Sequence, residues 1–412
     1  MRGFLLGVSL LCNAAVASPR TEVHELRDKA RKAYDAKDWR AFLDAERQLV
    51  ALAPVPLHVY SLACAEALNG DREAALRDLE KVAAMEIVLP AAEDSDFASL
   101  HGDPRYEAAV KRIASAAEAR GEIPAASELP RPDLIVEDLA RDRKRSAWFV
   151  SSVRKRAVYV YAKGALRELA KTPWAALGID YDPGRGVLWV ATAALEEEDD
   201  HLKVDEGKTA VLELDARSGK LIARHDVEAK GAIGDLRLGP DGTAYASDGL
   251  AGIVYRIPPR GKPAVLVSGL MSPQTSAVRG KELLVADYSL GLAAVGLDGG
   301  EVRWLAAPDN VALTGIDGVA LDGDDLYVVQ NGLNPSRVVR LRLEGDRIAS
   351  AEVLQRGGDL ADPTHAVVSE GALWVLARSG WEKSGKAPLL KRLQLRGARP
   401  TGQATPVPPR PQ

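Results

Sequence analysis

One short pattern recurs six times after residue 145, and it constrains the fold more than any other feature of this chain. A bulky, usually aromatic residue is followed by two or three small or β-branched residues and then, in most copies, by a polar turn. The copies are Phe149-Val150-Ser151-Ser152, Trp189-Val190-Ala191-Thr192, Tyr245-Ala246-Ser247-Asp248, Leu284-Val285-Ala286-Asp287, Tyr327-Val328-Val329-Gln330 and Trp374-Val375-Leu376-Ala377. Most lie roughly 40–47 residues apart, the span of one four-stranded propeller blade. The longer gap, from Trp189 to Tyr245, contains the acidic run Glu196-Glu197-Glu198-Asp199-Asp200. That run is expected to be a solvated loop, with cation binding or a lid as the alternatives. Alternating stretches such as Ile253-Val254-Tyr255-Arg256-Ile257 read as half-buried strands, and Gly239-Pro240-Asp241-Gly242 and Asp322-Gly323 read as turns. The expected fold class is multidomain, α plus all-β, with a six-bladed β-propeller over 133–397.

The chain of 412 residues is long enough for two domains, and its formal net charge of -4 offers no footprint for nucleic acid. Arg2, an apolar run to Leu11 and the small-x-small site Ala15-Val16-Ala17 read as a signal peptide over 1–17, which predicts a periplasmic or secreted protein. The run is too short for a permanent transmembrane anchor. Cys12 follows Leu11, whereas a lipid-attachment site needs a small residue there, so lipidation is not expected. Removal of the signal leaves Cys64 alone, and no internal disulfide can form. The Pro-rich stretch 398–412 is expected to be a disordered tail.

Residues 20–120 read as helices. Ala63, Gly70 and Ala75 allow two antiparallel helices to approach closely, with Leu62, Leu79 and Val82 filling the seam. This pattern resembles a tetratricopeptide repeat, with a weaker copy around Lys37-Asp38-Trp39 about one period earlier. Asp103-Pro104 predicts a further helix start. Such helices either bind a protein partner or simply cap the next domain. Pro124, Pro130 and Pro132 mark 121–132 as a linker.

A polar residue stands ten positions before the anchor in four repeats: Asp235, Gln274, Asp317 and Thr364, with His365 beside the last. This offset falls at the start of the innermost strand, so these side chains are expected to converge at the mouth of the central channel. In the second repeat the position is Ile179, with Asp180 adjacent. In the first, Glu137 and Asp138 are the candidates. Converging oxygen ligands suit a hard cation such as Ca²⁺, while a merely wet channel is the plainer alternative.

From about Asp133 to Gly397 these features resemble the SMP-30/gluconolactonase/LRE-like propellers. That resemblance implies a divalent metal held by a glutamate, two asparagines and an aspartate, the aspartate also serving lactone hydrolysis. Glu137 matches the glutamate, and Asp317 in Asp317-Gly318 matches the aspartate. One asparagine is replaced by Gly234, beside Asp235, and the other by Gln274. The implied metal set is Glu137, Gln274 and Asp317. Asp317 is the implied proton-handling residue; His365, from its place beside Thr364 over the channel, is expected either to share that role or to make a structural hydrogen bond, and Asp235 and Thr364 are expected to line the substrate pocket.

No histidine has the spacing of a zinc site, and no Gly-x-Ser-x-Gly elbow or phosphate-cradling loop is present. The basic turn from Arg141 to Arg145 is expected to be solvent-exposed. Two functions compete. One is a metal-dependent hydrolase acting on a lactone or related ester in the channel; the other is a non-catalytic binding protein using the helices and the propeller face.

Overall fold

The computed structural model describes residues 19–395. The signal segment 1–17 with Cys12, and the Pro-rich tail 398–412, lie outside the described residues. Five α-helices come first: α1 (Pro19–Asp35), α2 (Trp39–Leu52), α3 (Pro56–Leu68), α4 (Arg72–Ala84) and α5 (Pro104–Ser115). Local chemistry sets their starts. The side chains of Asp38, Asp71 and Asp103 accept from the backbone N–H groups of Ala41, Ala74 and Arg105, filling otherwise orphaned donors. Pro56 and Pro104 occupy the first helical turns, where no N–H is needed. Among the described residues no helix is long and apolar enough to cross a membrane.

Six antiparallel sheets follow, and they form the six-bladed propeller. Every anchor of the repeated pattern lies on the second strand of its blade: Ala147–Ser152, Val187–Ala193, Ala244–Asp248, Glu282–Asp287, Asp325–Gln330 and Ala372–Arg378. The physical reason is burial on both faces. Phe149 and Trp189 are fully buried between neighbouring blades, each such side chain contributing about 1.5–3 kcal/mol of transfer free energy. The innermost strands are Leu139–Asp142, Ala175–Asp182, Ile233–Leu238, Pro273–Arg279, Ile316–Asp322 and Ala366–Ser369, each touching the next around a closed ring. Two aspartates of the pattern, Asp248 and Asp287, are buried and accept N–H groups of the loops beside them, a structural use of the motif's polar fourth position.

The expected linker at 121–132 is corrected by the topology. Ala125–Glu128 pairs with Leu389–Gln394 as the outer strand of the sixth blade, and Arg120–Gly121 pairs with the edge of the fifth. The prolines flank these edge strands, where a missing N–H costs little. The basic turn is exposed at Arg143, Lys144 and Arg145, as expected, and half-buried at Arg141. Arg141 pairs with Glu370 at 3.1 Å and lies over the Trp148 ring, while Arg145 donates to Asp142 and lies over Phe149. Within the acidic run, Glu198 is buried and accepts from the N–H of Ala175 at 2.7 Å; Asp199 pairs with Lys155 at 2.8 Å. The run is a partly anchored loop, and it does not line the channel mouth.

The helices pack against the loops of blades three to five. Met271 and Leu290 join the core formed by α1 to α3, and Ala312 and Leu333 join the core around α3 and α4. Arg337, buried at the start of a strand in the fifth blade, donates to the carbonyl of Met85 at 2.9 Å and thereby ties the end of α4 to the propeller.

Candidate active site

Four of the inner strands carry a register irregularity, and it falls at the same level in each: between Ala176 and Ile179, Ile233 and Asp235, Pro273 and Ser276, and Ile316 and Gly318. An extra residue at such a bulge re-aims its side chain out of the strand's alternation. This explains why one fixed offset from the anchor finds channel-facing residues. It also resolves the second blade, whose residue at this level is Gly178 rather than Ile179 or Asp180. A Cβ on Gly178 would lie 2.5 Å from the Cα of Asp235, so only glycine fits between these adjacent strands. Gly318 plays the same part against the backbone of Thr364.

The channel-facing residues do converge. Glu137, Asp138, Gly178, Gly234, Asp235, Gln274, Asp317, Thr364 and His365 enclose a narrow space of about 30 Å³ on the propeller axis. Above it opens a bowl of about 490 Å³, on whose floor lie Glu137, Gln274, Asp317 and Thr364. Loops add Tyr288, Asn331, Asp362 and Trp381 to its wall. Among the described residues no lysine or arginine lines the bowl.

Two carboxylates dominate the floor. Glu137 Oε2 accepts from the Trp381 indole N–H at 2.7 Å, and Asp317 Oδ2 accepts from Asn331 Nδ2 at 2.6 Å. Asn331 is itself oriented by the Tyr288 hydroxyl, which donates to its Oδ1 at 3.0 Å. Burial pushes Glu137 well above the usual carboxylate range, and the facing charge of Asp317 pushes it further. Burial raises Asp317 to about 7, against the pull of the Asn331 hydrogen bond. Burial also lifts the Tyr288 phenol to about 12, with Asp317 adding to it. Gln274 donates its Nε2 to Ser272 Oγ at 3.1 Å, which leaves its amide oxygen for other partners. Thr364 Oγ1 donates to the carbonyl of Glu137 at 2.9 Å and so ties the last blade to the first.

Beneath this floor an ionic plug closes the channel. Arg237 Nη1 lies 2.9 Å from both Asp138 Oδ2 and Asp235 Oδ1. His365 Nε2 lies 3.0 Å from Asp138 Oδ1, and its Nδ1 lies 3.0 Å from Arg237 Nη2. Arg237 Nη2 also lies 2.6 Å from Nε2, so both ring nitrogens face the guanidinium. Burial, and then the Arg237 charge, hold His365 well below its ordinary pKa. Burial opposes the charge of Arg237, but Asp138, Asp235 and Asp180 together outweigh it. The structure thus separates the expected site residues into two storeys. Glu137, Gln274, Asp317 and Thr364 face the bowl, whereas His365 and Asp235 belong to the plug. Asp180 lies lower still, lining the opposite mouth of the channel.

Sequence reasoning missed Arg237, Tyr288, Asn331 and Trp381. Arg237 was within reach, because it stands two residues after Asp235 on the same strand face. The other three come from loops, where no periodicity applies.

No protein-family model matches this chain, and no curated protein matches it. Among solved structures the fold matches a calcium-binding protein, regucalcin, from Agrobacterium tumefaciens strain C58, with a TM-score of 0.50 and 16% identity over 67% of this chain and 96% of that one. It also matches luciferin-regenerating enzyme, with a TM-score of 0.50 and 14% identity over 68% of this chain and 97% of that one. At such identities the likeness is one of fold.

Proposed function

We propose that the bowl binds a divalent cation, Ca²⁺ in the first instance, on Glu137, Gln274 and Asp317, and hydrolyses a lactone or a related ester. The observation that carries this reading is the pair of half-buried carboxylates, Glu137 and Asp317, that raise each other's cost of ionisation on a floor with no cationic side chain among the described residues. Two like charges held together out of water are costly, and a hard cation with oxygen ligands relieves that cost. When bound, such a cation supplies Lewis-acid polarisation of a carbonyl and a more acidic water. The side chains supply the rest. Asp317, with a pKa near the working range of a general base, takes a proton from the attacking water and returns it to the leaving alkoxide. Asn331 fixes the carboxylate's orientation, and Tyr288 fixes Asn331. Trp381 holds Glu137 in place. The polar bowl suits a small hydroxylated substrate.

The same reading takes the protein to be exported, on the strength of residues 1–17. It takes the helices to be tetratricopeptide-like hairpins. Lys37 and Gly70 both have positive φ, each precedes an aspartate N-cap, and the two caps are about one repeat period apart. A second reading, ligand or partner binding without turnover, is favoured by one observation. Gly178 and Gly234 put no side chain at two of the six channel positions. The test is a panel of lactones and esters assayed with Ca²⁺, Mg²⁺, Mn²⁺ and Zn²⁺, comparing wild type with Asp317→Asn. Turnover that needs metal and falls at least a hundredfold in the variant supports the hydrolase. Metal binding by calorimetry with no turnover on any substrate supports the binding protein.

A further inference from the structure

A second cavity lies well away from the channel, where the helices meet the fourth blade. It measures about 610 Å³. One wall is the turn from α2 into α3 with the adjacent face of α4; the other is the outer edge of the fourth blade and the segment after it. The fourth blade makes room for it, since its outermost strand is only Arg303–Trp304. Val50, Val55, Leu292 and Trp304 typify the lining, in which Asp78, Lys81 and Asp309 are the only charged side chains among the described residues.

Those three fix the chemistry of the occupant. Lys81 Nζ is 2.9 Å from Asp78 Oδ1 and 3.9 Å from Asp309 Oδ2. Its single positive charge is therefore already matched, with one negative charge to spare. An anionic head would meet Asp78 and Asp309 without a free cation, and a cationic head would compete with Lys81. A neutral head that exchanges hydrogen bonds with Lys81 and Asp78 meets neither penalty. The volume accommodates on the order of twenty non-hydrogen atoms, at about 30 Å³ each as for water in the liquid. Ligand sites of this size are typically apolar, carry a few polar groups and favour domain interfaces.

We infer that this cavity is a binding site for an uncharged, largely apolar molecule carrying one hydrogen-bonding head. The site spans the helical region and the fourth blade, so its occupant clamps the helices onto the propeller. This inference does not depend on the hydrolase reading, because the cavity shares no lining residue with the bowl.

The test uses the full mature chain and the neutral fluorophore N-phenyl-1-naphthylamine. The expected result is saturable fluorescence enhancement at one site per chain, with a rise in melting temperature. 1-Decanol should displace the probe at concentrations at least tenfold below decanoate or decylammonium. Ala307→Trp fills the cavity from the propeller side and should weaken the probe at least tenfold while the melting temperature of the free protein holds. Val302→Trp gives the same test should the first variant fail to fold. Absence of saturable binding by wild type overturns the inference. So does full binding by a folded filled variant, displacement by Ca²⁺, or preference for a charged competitor. Light scattering that shows a dimer excluding the probe would also refute it, by assigning the face to a second copy of the chain.

Discussion

Replacement of Arg237 by methionine tests the electrostatic account of the channel plug. The guanidinium is the one cation among Asp138, Asp235 and Asp180. Its removal strands a negative charge in the interior, which the protein can neutralise in two ways. An aspartate can take a proton, which at pH 7 costs about 4 kcal/mol, from about three pH units above its ordinary pKa at about 1.4 kcal/mol each. Alternatively, His365, already 3.0 Å from Asp138, can become the cation. Its ordinary pKa near 6.5 makes this cheaper, costing below about 1 kcal/mol at pH 7 and about 3 kcal/mol at pH 9. The second route wins. In the variant Asp138 and Asp235 face His365 with no competing cation, which pulls its folded-state pKa above the unfolded value against the burial that lowers it. The stabilisation it brings is complete below about pH 6.5 and is lost as pH rises through the folded value. Urea unfolding should show Arg237→Met within about 1–2 kcal/mol of wild type at pH 6, and about 3 kcal/mol further below it at pH 9. Adding His365→Asn removes the cheap route and should bring the loss to about 4 kcal/mol already at pH 7, the range known for broken buried pairs. An equal loss at pH 6 and pH 9 in the single variant would falsify the assignment of His365 as the reserve cation.

Added Ca²⁺ should raise the melting temperature of wild type and leave Asp317→Ala unmoved, as read by differential scanning calorimetry after chelation. Cation affinity should fall as pH drops from 8 to 5, because Asp317, raised to about 7, must lose its proton to serve as a ligand; a flat calorimetric pH profile would remove Asp317 from the ligand set. A Cβ on Gly234 meets nothing within 4 Å, so Gly234→Asn, Gln274→Asn should fold normally and raise turnover of gluconolactone above a weak or absent wild-type rate. Failure of both proteins on every lactone and ester tried would end the hydrolase reading. Intact mass of the protein exported by its own signal should place the N-terminus at or near Ser18, and a lipid-modified Cys12 would refute that. Cys64, buried and with its thiol pushed up by burial, should resist a thiol reagent in the native protein and react once on denaturation.

The propeller was legible because a single physical demand repeats. Each second strand is buried on both faces, so each copy needs the same bulky anchor. The channel positions were legible for a related reason. Gln274 and Asp317 sit at equivalent bulges and Asp235 directly follows the one at Gly234, so a constant offset from the anchor reaches all three. The second blade escaped because glycine leaves no polar signature, although Gly178 is fixed by the backbone of Asp235 against it. The two storeys could not be read, since Asp235 and Asp317 both stand ten residues before their anchors, while the register shift falls at Gly234 in one blade and at Asp317 in the other. Tyr288, Asn331 and Trp381 act through hydrogen bonds that join separate loops, and one-dimensional spacing carries no trace of those. The linker was misread because an edge strand of four residues flanked by prolines has the composition of a connector.

Closure of the ring through Ala125–Glu128 has a consequence for how this protein is made. This strand leaves the ribosome ahead of all six blades' inner strands and finds its partner, Leu389–Gln394, only after the rest of the propeller has been synthesised. Until then both edges stay open to pairing with a neighbouring chain. A truncation that takes the helices off beyond residue 124 also strips the last blade of its outer strand. The shortest fragment with a complete ring of sheets thus begins ahead of the blades themselves, and chain breaks tolerated in an open sheet would here undo the circle.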